Sequence, residues 1–232
     1  MSHFTCAVFT REGQTVDELL APYDENMPVD RYVQYTRQEA IKDVREWLGK
    51  DEKTSDEECW EIMASDFDED MIDEEGNLYS TRNPDAKWDW YDIGGRWGDY
   101  LKVRGKRKNT AKVKEIDFSP DQDVYKAALD FWDKAVDNDD VNPEDKIPTL
   151  FTRDYYREFY GDRETYARHQ AQFSTFAVIL PDGSWHERGS MGYFGMSSET
   201  GDEARDWEEH YKERFIDPAD PEWTITICDL HI

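Results

Sequence analysis

The sequence predicts an α+β fold: a mixed or antiparallel sheet that contains both ends of the chain, covered by amphipathic helices, with a mostly helical insertion. Three observations carry this. The two ends, residues 3–10 and 223–232, alternate with period two yet are apolar or β-branched on both faces, as strands near a sheet centre must be. Several other segments repeat apolar residues at helical spacing. Turn signals divide the remaining short apolar runs into hairpins, so strands and helices do not alternate regularly.

The elements follow in order. In the first strand Phe4, Cys6 and Val8 face one way and Thr5, Ala7 and Phe9 the other. Thr36-x-x-Glu39 is a capping box, and Ala40, Ile41, Val44, Trp47 and Leu48 follow at helical spacing up to a stop at Gly49. A second helix starts near Thr54 or Ser55 and carries Cys59, Trp60, Ile62 and Met63. Glu74-Glu75-Gly76-Asn77 reads as a turn joining Met71-Ile72 to Leu78-Tyr79. Residues 97–104 alternate as a strand, and a basic turn follows at 105–109. Val124, Ala127, Ala128, Phe131, Trp132 and Ala135 define a strong amphipathic helix over 120–136, before an acidic loop at 137–146. Two helices are expected at about 152–160 and 162–171. Residues 173–180 form an apolar strand whose hairpin partner, 185–188, returns through Pro181-Asp182-Gly183-Ser184. A last helix spans 203–216 and is ended by Pro218 and Pro221. One domain over residues 1–232, with a helical insertion at about 110–172, accounts for this order.

Composition removes several function classes. The 28 basic and 54 acidic residues give a net charge of −26, which repels nucleic-acid backbone and anionic membrane. Direct nucleic-acid binding is therefore not expected, whereas a basic partner or mimicry of nucleic-acid charge is compatible; the plainest reading is a soluble acidic protein. An aromatic fraction of 14% argues against disorder. With no long apolar run and no leader-like start, no membrane span is expected and the cytoplasm is the expected compartment. Cys6, Cys59 and Cys228 are odd in number and form no Cys-x-x-Cys pair, which disfavours a disulfide framework or a cysteine zinc site. The five histidines lack metalloprotease spacing, and no serine elbow, P-loop or dinucleotide fingerprint is present. Asp66-x-Asp68-x-Asp70 opens like a calcium loop, but Met71 and Asn77 occupy the positions that need glycine and a bidentate glutamate, so it reads as a solvated acidic face. No metal and no cofactor are expected.

The segment 82–100 is the most informative. Trp88, Trp90, Tyr91 and Trp97 flank Gly94-Gly95, and Arg96 follows at once. Aromatic faces, backbone amides freed by glycine and one guanidinium suit a planar, anionic small molecule such as a nucleotide. Residues 187–195 repeat the combination with Arg188, Gly189, Gly192 and Tyr193. The two segments are expected at one edge of the sheet, lining one cavity; packing of the aromatics as a second core, with Arg96 buried against a carboxylate, is the competing expectation. In the last strand Asp229 and His231 share a face and are low-weight candidates for an acid–base pair, with His3 near them if the terminal strands pair.

At Lys87-Trp-Asp-Trp-Tyr-Asp-Ile-Gly-Gly-Arg-Trp97 the chain resembles a family of uncharacterised proteins found in bacteriophages and bacteria. The opening His3-Phe-Thr-x-x-Val8, Leu20-Ala-Pro-Tyr-Asp-Glu-Asn26, Asn83-Pro84, Phe176-Ala-Val, Asp182-Gly-x-Trp185, Glu187-Arg-Gly-x-Met-Gly192, Phe194-Gly195 and the closing Asp229-x-His-Ile232 match in order, so the resemblance spans nearly the whole chain. It departs at Leu230, where the family has cysteine. No activity is implied, but a phage or prophage setting is, and with it the cytosol of a host cell as the compartment. Three functions are then compatible. The first is a phage-associated binding protein that sequesters a small anionic, nucleotide-like ligand in counter-defence: Trp88, Trp90, Tyr91, Trp97 and Tyr193 would form its walls, Gly94, Gly95 and Gly192 would donate amides, and Arg96 and Arg188 would pair the anion. The second is an acidic inhibitor or DNA mimic acting on a host protein. The third is an enzyme of unknown class using Asp229 and His231. The residues favour binding over catalysis and leave the oligomeric state open.

Overall fold

The computed structural model describes residues 2–48, 54–137, 151–191 and 196–232. Its fold is α+β, and the two terminal strands are neighbours. Strand β1 (His3–Thr10) pairs antiparallel with β10 (Thr224–His231) along its whole length, from His3 opposite His231 to Thr10 opposite Thr224. On its other side β1 pairs in parallel with β8 (Ala177–Ile179), and β9 (Trp185–Glu187) closes that edge as the hairpin partner of β8. With a neighbour on each side and cover on each face, β1 is buried from Phe4 to Thr10, as its two-sided apolar pattern requires.

The opposite edge changes partner partway along β10. Cys228–His231 pair with β4 (Trp90–Ile93), whereas Thr224–Thr226 pair with β7 (Thr110–Lys112). Ile227 sits at the changeover: its carbonyl accepts from Gly94 N–H at 2.8 Å, and its N–H donates to the Asn109 carbonyl at 2.9 Å. Ala7, Phe9, Val178, Ile225 and Ile227 form one face of the sheet. It is covered by α7 (Gly201–Tyr211), whose π-helical continuation Lys212–Ile216 adds Phe215 and Ile216, and by Leu101 and Val103. Helix α1 (Val16–Leu20) packs against β1, with Leu20 fully buried and its carbonyl accepting from the indole of Trp88.

Helices α4 (Gln122–Phe131), α5 (Arg153–Tyr160) and α6 (Arg163–Ala171) make an aromatic satellite core around Trp132 and Tyr166. Their starts are set by local chemistry: Asp121, Thr152 and Asp162 each accept backbone N–H groups that the first helical turn leaves unpaired.

Residue contacts divide the chain into two compact units, 1–22 with 87–232, and 23–86. The helices of residues 110–172, expected from sequence as an insertion within the domain, belong to the first unit. The second unit contains β2 (Tyr32–Tyr35), α2 (Arg37–Leu48), α3 (Asp56–Ala64) and β3 (Leu78–Ser80), packed around Ala40, Ala64 and Leu78. Its capping box forms as predicted, with Glu39 N–H donating to Thr36 and Thr36 N–H donating to Glu39.

Other expectations need correction. The strand predicted over 97–104 begins at Leu101, because Gly95–Trp97 form a 3-10 turn and Asp99 takes a φ of 60°. Residues predicted as a basic turn form β6 (Lys106–Lys108), paired with β5 (Leu101–Val103). Arg104 and Gly105, both at positive φ, make the tight turn that suits a twisted hairpin. Leu78 meets Ile72 in a single bridge, and the ladder partner of β3 is β2. Gly49 and the acidic loop beyond residue 137 lie outside the described residues.

Candidate functional site

Pairing of the termini brings four polar side chains together at one end of the sheet, on the face that carries Ala7 and Ile227 further along. His3 and His231 are direct cross-strand partners, and their rings meet edge to face with centroids 4.9 Å apart. Asp229 lies on the same side as His231 because side chains alternate along a strand. It does not bond His231. Its Oδ1 accepts from Nδ1 of His3 at 2.8 Å, and its Oδ2 accepts from the backbone N–H of Arg96 at 2.9 Å. His231 is held by Asp89, whose Oδ1 accepts from Nδ1 at 2.6 Å, while Asp89 N–H donates to the His231 carbonyl at 2.9 Å. The site is thus two imidazole–carboxylate pairs side by side.

Trp90, opposite His231 in the ladder, stacks on that ring at 20° with centroids 5.2 Å apart. Its indole is 45% exposed, so one aromatic wall of the site opens to solvent. The His231 side chain, by contrast, is only 4% exposed. Because a carboxylate only accepts, each pair puts a proton on Nδ1 and leaves the ring's Nε2 outside the pair. For His231 that Nε2 is buried and has no hydrogen-bond partner among the described residues. An unpaired buried polar atom costs about 1–3 kcal/mol, and such an atom calls for an explanation.

The diglycine has a local purpose. A Cβ on Gly94 would lie 2.7 Å from Cγ of Asn109, and one on Gly95 would lie 2.9 Å from Cγ of Asp229. Both residues hold positive φ, +80° and +46°. Only this backbone reaches Asp229 closely enough for the Arg96 amide to clamp the carboxylate that orients His3.

The predicted site residues divide accordingly. Trp90, Gly95 and the Arg96 amide belong to the site. Trp88 is buried and bonds the Leu20 carbonyl at 3.1 Å, and Trp97 packs on the main core. Tyr91 faces the other side of the sheet, where its hydroxyl bonds Asp17 and burial pushes its pKa up. The Arg96 side chain is exposed and makes no ion pair among the described residues, contrary to the expectation of a buried partner. Arg188 is paired with buried Glu199 at 2.9 Å and approaches Glu208 at 3.6 Å. Gly192 and Tyr193 lie outside the described residues. The expectation that the two glycine-aromatic segments share one sheet edge is overturned: β4 and β9 are opposite ends of the strand order. They meet instead through Lys87, whose Nζ is 2.8 Å from Glu187.

Asp89 escaped the sequence reading, since nothing in a four-residue edge strand announces its register against β10. The fold and this cluster define an α+β protein with a paired histidine–carboxylate site. Comparison with known protein families, characterised proteins and solved structures found no match.

Proposed function

We propose that the His3–Asp229 and His231–Asp89 pairs form an acid–base site acting on a small, planar, nucleotide-like molecule held against Trp90. The observation that carries this reading is the buried, unpartnered Nε2 of His231 beside a second oriented imidazole. Two imidazoles can work in opposite protonation states, one taking a proton from an attacking group and the other giving one to a leaving group. Each carboxylate fixes its ring and stabilises the imidazolium that forms. Phosphate-ester hydrolysis or transfer is the reaction class that such a pair suits. Degrading a host nucleotide signal would serve counter-defence in the phage setting that the resemblance implies.

Sequestration without chemistry is the second reading, favoured by the exposed faces of Trp90 and Arg96 next to the pairs. One experiment tests both. The purified chain is incubated with mononucleotides, cyclic nucleotides and dinucleotides, following product formation and thermal stabilisation. Turnover of one class, reduced about a hundredfold or more in H3Q and in H231Q, is expected. Stabilisation with the ligand recovered intact would select sequestration, and neither turnover nor stabilisation would overturn the proposal.

A further inference from the structure

A cleft of about 390 Å³ opens in the second unit, between the end of α3 and the β2–β3 pair. Its shape begins with a bulge: Val33 faces Tyr79 and Tyr35 faces Leu78, so β2 sets an extra residue against β3. That residue turns Tyr35 onto the face of Leu78, against the core of Ala40 and Ala64. After α3 the chain folds back, with Phe67 N–H donating to the Ala64 carbonyl at 3.0 Å. The turn sets Phe67 at right angles to Tyr35, with ring centroids 6.5 Å apart and planes at 89°. Both rings are half-buried, and with Met63 and Met71 they form the apolar walls of the cleft.

Other aromatic faces of this unit already hold cations. The guanidinium of Arg31 lies 4.1 Å above the ring of Tyr79, and that of Arg37 lies 4.5 Å above Trp60. Tyr35 and Phe67 carry no such cation among the described residues. At the lip, the side chains of Asp66 and Asp68 make no hydrogen bond or ion pair among the described residues. Arg82, also at the lip, makes no ion pair among them. Two carboxylates against one guanidinium leave a single negative charge beside the two rings. A metal ion does not suit the place, because no three ligating side chains converge to hold one among the described residues. An organic cation does: the ring faces and the carboxylates both attract its charge, and the flexible methionines adapt to its alkyl groups.

We infer that this cleft binds a small quaternary ammonium ion. Its methyl groups lie against the rings of Tyr35 and Phe67, and Asp66 and Asp68 balance its charge from the lip. Such an ion has no N–H, so it needs no converging hydrogen-bond acceptors, only aromatic faces and a nearby negative charge. A volume of about 390 Å³ lies within the range of small-molecule sites.

The test is calorimetry and thermal unfolding of the full chain, at fixed ionic strength, with choline and with its uncharged isostere 3,3-dimethylbutan-1-ol. Choline should bind with one-to-one stoichiometry and raise Tm, and the alcohol should bind more weakly by about tenfold or more. Asp66→Asn combined with Asp68→Asn changes two exposed side chains, so the ligand-free chain should stay folded while choline binding weakens by about tenfold. Phe67→Leu keeps apolar packing but removes one ring face, and should weaken choline by a similar factor. H231Q should bind choline like the wild type, which separates this site from the paired histidines. No binding of choline to the folded chain would overturn the inference. Equal binding of the alcohol would do the same, since the cleft would then be an apolar pocket, as would wild-type choline affinity in either variant.

Discussion

At the scale of single residues, the structure turns a motif of aromatics and glycines into a device for holding one carboxylate. Gly95→Ala must push a methyl group against Asp229 at a φ of +46°, so a destabilisation of about 2 kcal/mol is expected from urea midpoints. Arg96→Ala keeps the backbone N–H that does the work and removes only an exposed side chain. Its midpoint should stay within about 0.5 kcal/mol of wild type. A large loss there would restore the expectation that its guanidinium is structural. His169 makes a claim about pH. Burial holds it below its ordinary value of 6.5, with Glu208 opposing that effect. The unfolded chain therefore takes up a proton that the folded chain refuses. Stability from this group is complete above 6.5 and falls as pH drops from there toward the folded value. In H169Q the stability curve should be flatter over that interval.

At the scale of elements, the terminal strands were legible because their two-sided apolar pattern admits only a central place in a sheet. The long helices were legible for a related reason: Ala128, Trp207 and Phe215 recur at helical spacing and end up buried. The short hairpin β8–β9 was legible too, from its apolar run and its Pro-Asp-Gly-Ser turn, but other short elements were not. Strands β4 and β7, of four and three residues, take their limits from pairing with β10, and no local pattern records that neighbour. For that reason Asp229 and His231 could be placed on one face from sequence, whereas the partner of each could not. The roles of the aromatics were equally hidden, since Trp88 and Trp90 are two residues apart and one is buried while the other is exposed. The central place of β1 and β10 can be checked through their thiols. Cys6 and Cys228 are register partners, fully buried, and burial raises both, Cys228 to about 12. Cys59 in the second unit is buried as well. A thiol reagent at mildly alkaline pH should label none of the three until the chain unfolds; prompt labelling of Cys6 or Cys228 would place those strands elsewhere.

At the scale of the whole molecule, the net charge of −26 gives the two broad functions opposite salt dependence. An anionic ligand is repelled at long range, so screening should leave its affinity unchanged or raise it as ionic strength increases. A basic protein partner held by the same charge should be lost steeply over that range. No helix among the described residues is long and apolar enough to cross a membrane. Beneath either function lies one arrangement: the first and last strands pair to set two imidazoles, each oriented by a carboxylate through Nδ1, with the Nε2 of His231 buried and unpartnered among the described residues. It is tested most directly by long-range nitrogen–proton NMR of the histidine rings at alkaline pH, where an ordinary imidazole is neutral. With Nδ1 of each ring bonded to a carboxylate, His3 and His231 are expected to carry their proton on Nδ1, and the His231 signal should move in Asp89→Ala. A proton on Nε2 of His231, or a ring indifferent to the loss of Asp89, would contradict it.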